Sequence, residues 1–218
     1  MHDALIFIGG DRPPEGIVAH LPRPALVVAA DSGFDHAAAL GVRADLLVGD
    51  LDSISAAGLA AATAGGVTIE RHPAAKDMTD TELAIEAAIV RGARALTVVS
   101  GGGDRIDHLL GALFAAADAA GRVEQVTMWW ATTRLRVLHG SAAACVEPGA
   151  GGLFSVLAVG GDASGVSIDG ARYPLHDAEL PAGVSRGLSN LAEPGMPTVV
   201  RLRAGTALVI SPDALGGR

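Results

Sequence analysis

Six short, largely apolar runs recur along the first 131 residues: Ala4 to Ile8, Ala25 to Ala30, Leu46 to Val48, Val67 to Glu70, Ala95 to Ser100 and Val126 to Ala131. Alanine-rich segments of helical character lie between several of them. A strand can omit polar residues only where both of its faces are covered, so the pattern predicts an α/β unit: a mostly parallel sheet with flanking helices. In such sheets ligands bind in the crevice beyond the carboxyl ends of the strands.

The polar motifs fall where that rule wants them. Gly9-Gly10-Asp11-Arg12, Asp31-Ser32-Gly33, Gly49-Asp50 and Gly101-Gly102-Gly103-Asp104-Arg105 each follow one of the apolar runs. Any one of these junctions is explained by a turn, since glycine and aspartate routinely begin βα loops. Four together point to one functional rim.

From Thr132 onward the pattern changes to short strands without helical periodicity: Leu135 to Leu138, Leu153 to Val159, Val166 to Ile168, Thr198 to Leu202 and Thr206 to Ser211. Asp169-Gly170 reads as a tight hairpin turn, and Arg203-Ala204-Gly205 as another. The expected organisation is therefore a catalytic-type α/β domain over 1–131 and a smaller all-β sandwich or barrel domain over 132–218.

Composition excludes several classes. A net charge of −8 and an aromatic content of 3% speak against a nucleic-acid-binding surface or stacking platforms for single strands. The most apolar helical stretch, Leu109 to Ala120, is short and interrupted by Asp118, so no membrane span is expected. The chain has one cysteine, Cys145, which allows no intrachain disulfide. With no basic leader before Ala4, a reducing cytoplasm is the expected compartment.

Three motifs carry candidate chemistry. In Asp50-Leu51-Asp52 an extended backbone would turn both carboxylates to one side, where they could share a hard cation; a loop in which Asp52 or Ser53 caps a following helix is the plainer reading. In Lys76-Asp77-Met78-Thr79-Asp80-Thr81-Glu82, Thr79 and Glu82 have capping-box spacing, which puts Asp80 in the first helical turn and Lys76 and Asp77 in the loop before it. Gly101 to His108 joins a strand to a helix: its glycines allow phosphate to approach backbone amides, and Arg105 offers a forked donor that Asp107 could orient. No lysine-containing P-loop occurs. His108 reads as structural, and at least one of Trp129 and Trp130 as core.

Taken in order, Ala30-Asp31-Ser32-Gly33, Gly49-Asp50-Leu51-Asp52-Ser53, Lys76-Asp77-Met78-Thr79-Asp80, Gly102-Gly103-Asp104-Arg105-Ile106-Asp107-His108 and Ser189-Asn190 resemble the thiamine pyrophosphokinase family. The resemblance spans nearly the whole chain, including the change from an α/β half to a β half. It implies transfer of a diphosphoryl group from ATP to the hydroxyl of thiamine with Mg2+ present, giving thiamine diphosphate and AMP. It further implies Asp50, Asp52 and Asp80 as metal ligands, with Asp77 supporting them or the incoming hydroxyl. Lys76 and Arg105 would neutralise phosphate charge, Asp107 would complete the loop, and Asp31 would lie near the nucleotide. Ser189 and Asn190 would hydrogen-bond the aminopyrimidine. A homodimer with thiamine at the subunit interface is the family's usual assembly. Two departures stand out: Ser32 replaces a usual glycine, and Leu191 follows Asn190 where some members place an aromatic. The alternatives are a diphosphokinase for a hydroxymethylpterin-like alcohol, a non-catalytic thiamine or nucleotide sensor, and a phosphate-ester hydrolase.

Overall fold

Asp3–Phe7 (β1), Leu26–Ala30 (β2), Leu46–Gly49 (β3), Thr68–Arg71 (β4) and Ala95–Ser100 (β5) are the strands expected from the apolar runs, displaced by a residue at most. The computed structural model describes residues 3–216. All pairings among these strands are parallel, in the order β5-β1-β2-β3-β4. Successive residues of a strand face opposite sides, yet Ala4, Leu5, Ile6 and Phe7 are all buried, as are Leu46, Leu47 and Val48. Both faces of the central strands are covered, as their lack of polar residues requires.

Among the described residues the α-helices are Gly33–Ala39 (α1), Ala56–Ala64 (α2), Asp80–Val90 (α3) and Ile106–Ala119 (α4). Helix α3 packs on β2 and β3 and buries Ala84, Ile85, Ala87 and Ala88. Three of these four are alanines, so the helix lies close to the sheet through small side chains while Ile85 supplies about 1.5–3 kcal/mol of apolar burial. Its first turn carries the expected capping box: the Thr79 N–H donates to Glu82 Oε2 at 2.7 Å and the Glu82 N–H to Thr79 Oγ1 at 3.2 Å. Helix α2 is capped by Ser55, whose Oγ accepts from the Gly58 N–H at 2.8 Å. The capping role considered for Asp52 or Ser53 belongs to Ser55 instead.

The chain divides into two compact units: residues up to Ala115 with Trp129–Ala131, and Ala116–Met128 with Thr132 onward. Gln125–Trp130 (β6) is thereby shared out between them.

The second unit contains Thr133–His139 (β7), Ala142–Cys145 (β8), Leu153–Ala158 (β9), Ala163–Asp169 (β10), Leu175–Leu180 (β11), Asn190–Leu191 (β12), Val199–Leu202 (β13) and Thr206–Ser211 (β14). They form two antiparallel arrays, β12-β9-β14-β7 and β11-β10-β13-β8. Phe154, Val156 and Val209 from the first array and Val166, Ile168 and Val200 from the second share one buried cluster, which makes this unit a sandwich.

Two expected hairpins differ from the structure. Strand β10 does pair with β11, but Ile168 lies opposite Leu175, so the connection is longer than a two-residue turn at Asp169-Gly170. Arg203-Ala204-Gly205 carries the chain from one array into the other, because β13 and β14 belong to different arrays. Strands β8 and β11 were not expected at all. Both are outer strands of their array and carry exposed side chains, so neither shows the apolar alternation of a half-buried strand.

Candidate active site

The sheet order places the topological switch point between β1 and β5, and there two glycine loops meet. The Asp11 N–H donates to the Gly102 carbonyl at 3.0 Å, and Ser100 Oγ donates to the Gly9 carbonyl at 2.9 Å. Gly10 has φ 114, and a Cβ on it would stand 2.3 Å from the Gly102 oxygen. No other residue fits that approach. Around this junction opens a cavity of about 720 Å³, lined entirely by the first unit.

Its acidic wall comes from neighbouring strand ends. The register Ala30↔Val48 sets Asp31 beside Gly49-Asp50, and oxygens of Asp31, Asp50 and Asp52 lie within 4.8 Å of one another. The backbone is strained to achieve this. Asp31 has φ 46 and Leu51 φ 67, and the Leu51 N–H donates to Asp31 Oδ1 at 2.9 Å. A leucine in that region costs about 1–2 kcal/mol. The extended Asp50-Leu51-Asp52 expected from sequence is therefore corrected to a turn, closed by the Asp52 N–H donating to Asp50 Oδ1 at 3.1 Å. Gly49, at φ 145, has no Cβ because Asp31 Oδ1 would be 2.2 Å from it.

Burial, then the charge of Asp80, raises the Asp31 carboxyl from 3.8 to about 6, with Asp50 and Asp52 adding to the rise and the Leu51 N–H opposing it. Asp50 moves the other way, held below the usual carboxylate range by the Asp52 N–H and then by Lys76. A raised carboxyl favours folding fully below its unfolded value and loses that contribution as pH climbs through about 6. The span from 3.8 to about 6 is worth about 3 kcal/mol. Asp31→Asn, which keeps an acceptor for Leu51, is thus expected to stabilise the metal-free protein at about pH 8 by up to about 3 kcal/mol and to leave it unchanged near pH 4. Chemical denaturation in chelator at both pH values checks this; equal effects at the two would contradict it.

Lys76 faces this wall. Its Nζ lies 3.4 Å from Asp50 Oδ2 and 3.0 Å from Asp80 Oδ1, and the lysine side chain is 14% exposed. Burial works against its charge, but the hydrogen bonds and charges of Asp80 and Asp50 outweigh that and hold its pKa above the usual lysine value. The capping box fixes Asp80 in the first turn of α3, where the helix dipole favours a carboxylate.

On the glycine-loop side, Arg105 is exposed and forks onto Asp107, Nε to Oδ1 at 2.9 Å and Nη2 to Oδ2 at 2.7 Å. The hydrogen bond and charge of Arg105 hold the Asp107 carboxyl far below its usual range. Arg105, Asp107 and His108 all line the cavity.

Of the residues singled out from sequence, Asp31, Asp50, Asp52, Lys76, Asp80, Arg105 and Asp107 converge on this cavity. Asp77 is exposed and does not line it. Ser189 and Asn190 belong to the second unit. Asn190 is buried and its amide holds the Tyr173 backbone on both sides of its Cα: Oδ1 accepts from the Tyr173 N–H at 3.1 Å and Nδ2 donates to the Tyr173 carbonyl at 2.8 Å. Ser189, at φ 56, leaves its hydroxyl on an exposed residue. Asp31 is closer to the acidic pair than sequence reasoning placed it. The signal was present, since it ends its strand as Gly49-Asp50 ends the neighbouring one.

The chain matches two family models, thiamin pyrophosphokinase catalytic domain over residues 20–128 and thiamin pyrophosphokinase vitamin B1 binding domain over residues 146–206. The chain belongs to the thiamin pyrophosphokinase family. The catalytic-domain match takes in Asp31, Asp50, Asp52, Lys76, Asp80, Arg105 and Asp107, and the vitamin B1 binding match takes in Ser189 and Asn190. Among solved structures it is similar to thiamine pyrophosphokinase from Bacillus subtilis, at 18% identity and a TM-score of 0.82 over 96% of this chain and 98% of that one. It is similar to thiamin pyrophosphokinase from Geobacillus thermodenitrificans at 22% identity and 0.77, over 96% of both chains. The Candida albicans thiamin pyrophosphokinase gives 13% and 0.79, over 97% of this chain and 89% of that one. At these identities the likeness is one of fold. No curated protein matches the chain.

Proposed function

We propose that this thiamin pyrophosphokinase family member is a thiamine diphosphokinase: the hydroxyl of thiamine attacks the β-phosphorus of ATP, the bond to the α–β bridging oxygen breaks, and AMP leaves. The observation that carries the reading is the meeting, in one cavity beyond parallel strand ends, of Asp31, Asp50 and Asp52 with Lys76 and Asp80. Three carboxylates crowded together cannot face polyphosphate unaided. Their oxygens, hard donors within 4.8 Å of one another, fit Mg2+. Held there by these carboxylates, Mg2+ would supply positive charge to offset that building on the phosphate oxygens.

The chain's own groups then position and neutralise. Asp50 and Asp52 supply ligand oxygens, Asp31 completes the group, and Asp80 becomes available as a further ligand when Lys76 turns from it toward the transferring phosphates. Arg105, oriented by Asp107, meets the same anion from the glycine-loop side. Asp77, in the loop just outside the cavity, is assigned the supporting role of the family resemblance, toward either the metal carboxylates or the incoming hydroxyl. A reaction with a loose transition state needs such placement more than a strong base. In the second unit, Asn190 fixes the backbone so that the Ser189 hydroxyl meets the aminopyrimidine.

The enzyme works as a homodimer with thiamine bound at the subunit interface, in the cytoplasm, to which the exposed thiol of Cys145 is suited. Among the described residues no helix is long and apolar enough to cross a membrane. Incubation with ATP, Mg2+ and either thiamine or a hydroxymethylpterin tests the substrate. AMP with thiamine alone is expected; AMP with the pterin alone, or free phosphate with neither, would overturn the assignment.

A further inference from the structure

The two adjacent tryptophans at the end of β6 have separate fates, and that of Trp130 is not explained by folding. Successive strand residues face opposite sides. Trp129 is 2% exposed and packs beside the His20 ring at a centroid distance of 5.4 Å, as a core residue does. Trp130 turns the other way and lines the cavity, where among the described residues no phenylalanine or tyrosine joins it. No acceptor among them takes its indole N–H, although buried or half-buried tryptophan N–H groups usually have one.

Its placement is built. The next residue, Ala131, has φ 52 and donates its N–H to the Ser100 carbonyl at 2.9 Å. Ser100 Oγ in turn accepts from the Gly102 N–H at 3.2 Å and donates to Gly9. Gly102 lies against the indole edge: a Cβ there would be 3.3 Å from Trp130 Nε1. One serine thus ties both glycine loops and the end of β6 into a frame around this ring. The small residues Gly102, Gly111 and Ala112 also line the cavity, and Gly102 lies against the ring.

We infer that Trp130 is the wall on which a planar nitrogen heterocycle of one substrate lies. The acidic group at the ends of β2 and β3 holds the reacting phosphates, and Trp130 adds a π-face to the lining of the same cavity, so one substrate can meet both charge and a stacking surface. Both adenine of ATP and the aminopyrimidine of thiamine have the required chemistry. Trp130 is a binding and specificity residue here, separate from the carboxylates. The inference rests on the cavity being the diphosphoryl-transfer site.

Tryptophan emission of the wild-type protein, titrated separately with a non-hydrolysable ATP analogue and with thiamine, identifies the occupant. One of the two is expected to quench it, and the same ligand to leave the remaining Trp129 emission of Trp130→Phe unchanged. In steady state, Trp130→Ala is expected to raise the KM of that substrate about 5- to 100-fold, as loss of one stacked ring does. Its kcat should stay within about threefold, because ground and transition states lose the contact equally. Trp130→Phe should recover most of the loss, which a purely structural role would not require. No quenching by either ligand, or unchanged KM values in Trp130→Ala, would overturn the inference. Should Trp130→Ala not fold, the wild-type and Trp130→Phe titrations decide alone. Absence of both AMP and thiamine diphosphate with wild-type protein would count against the diphosphokinase reading itself, while the titrations still judge the wall.

Discussion

Asp52→Asn is expected to lower kcat/KM for diphosphoryl transfer by about 1,000-fold, because a metal-holding carboxylate secures several kcal/mol of transition-state charge stabilisation and each 1.36 kcal/mol is tenfold. The fold should hardly notice. Asp52 is exposed, its capping duty is carried by Ser55, and its removal relieves repulsion with Asp31 and Asp50. The thermal midpoint of the metal-free variant is therefore expected at or slightly above that of the wild type. Kinetics at saturating Mg2+ and calorimetry in chelator measure the two halves separately. Near-normal turnover would remove Asp52 from the metal group; a large loss of stability would mean that the turn, not the charge, is what the residue supports.

Lys76→Met keeps the apolar stem and deletes the ammonium, and two effects are expected. The protein in chelator should lose about 1–3 kcal/mol, since Asp50 and Asp80 lose a partly buried counter-ion and only mutual repulsion remains among the carboxylates. Turnover should fall about 100- to 1,000-fold, the scale on which a group aimed at developing phosphate charge acts. The diagnostic observation is the response to Mg2+. If the carboxylates hold the cation, Mg2+ should raise the midpoint of Lys76→Met more than that of the wild type, in which ammonium and cation compete for Asp50 and Asp80. An equal rise in both would contradict that arrangement.

Much of this site was readable before the fold. Doubly buried strands must be apolar throughout, so β1, β2, β3 and β5 stood out, and the loops after them named Gly9-Gly10, Asp31, Gly49-Asp50 and the glycines after Ser100. The Thr79–Glu82 capping box put Asp80 at a helix start, where it is found. What could not be read was set by contacts distant in sequence. Leu51 takes a left-handed conformation because Asp31, twenty residues earlier, accepts its N–H, and nothing in Asp50-Leu51-Asp52 announces that. Asn190 bonds Tyr173 across seventeen residues, so a pair legible as substrate-binding proves to contain a residue with its amide engaged on backbone. The edge strands β8 and β11 escaped for different reasons: β8 is a four-residue run of alanines and a cysteine with no β-branched residue or alternation, and β11 is mostly polar and exposed.

Attack at the β-phosphorus sends the β-phosphate of ATP to thiamine. ATP labelled with 32P at the β position, incubated with wild-type protein, Mg2+ and thiamine, tests it in a single separation of products. The expected result is label in thiamine diphosphate and none in AMP, with labelled thiamine diphosphate formed about 1,000-fold more slowly by Asp52→Asn. Label in ADP, or in free phosphate or pyrophosphate without thiamine diphosphate, would contradict the account.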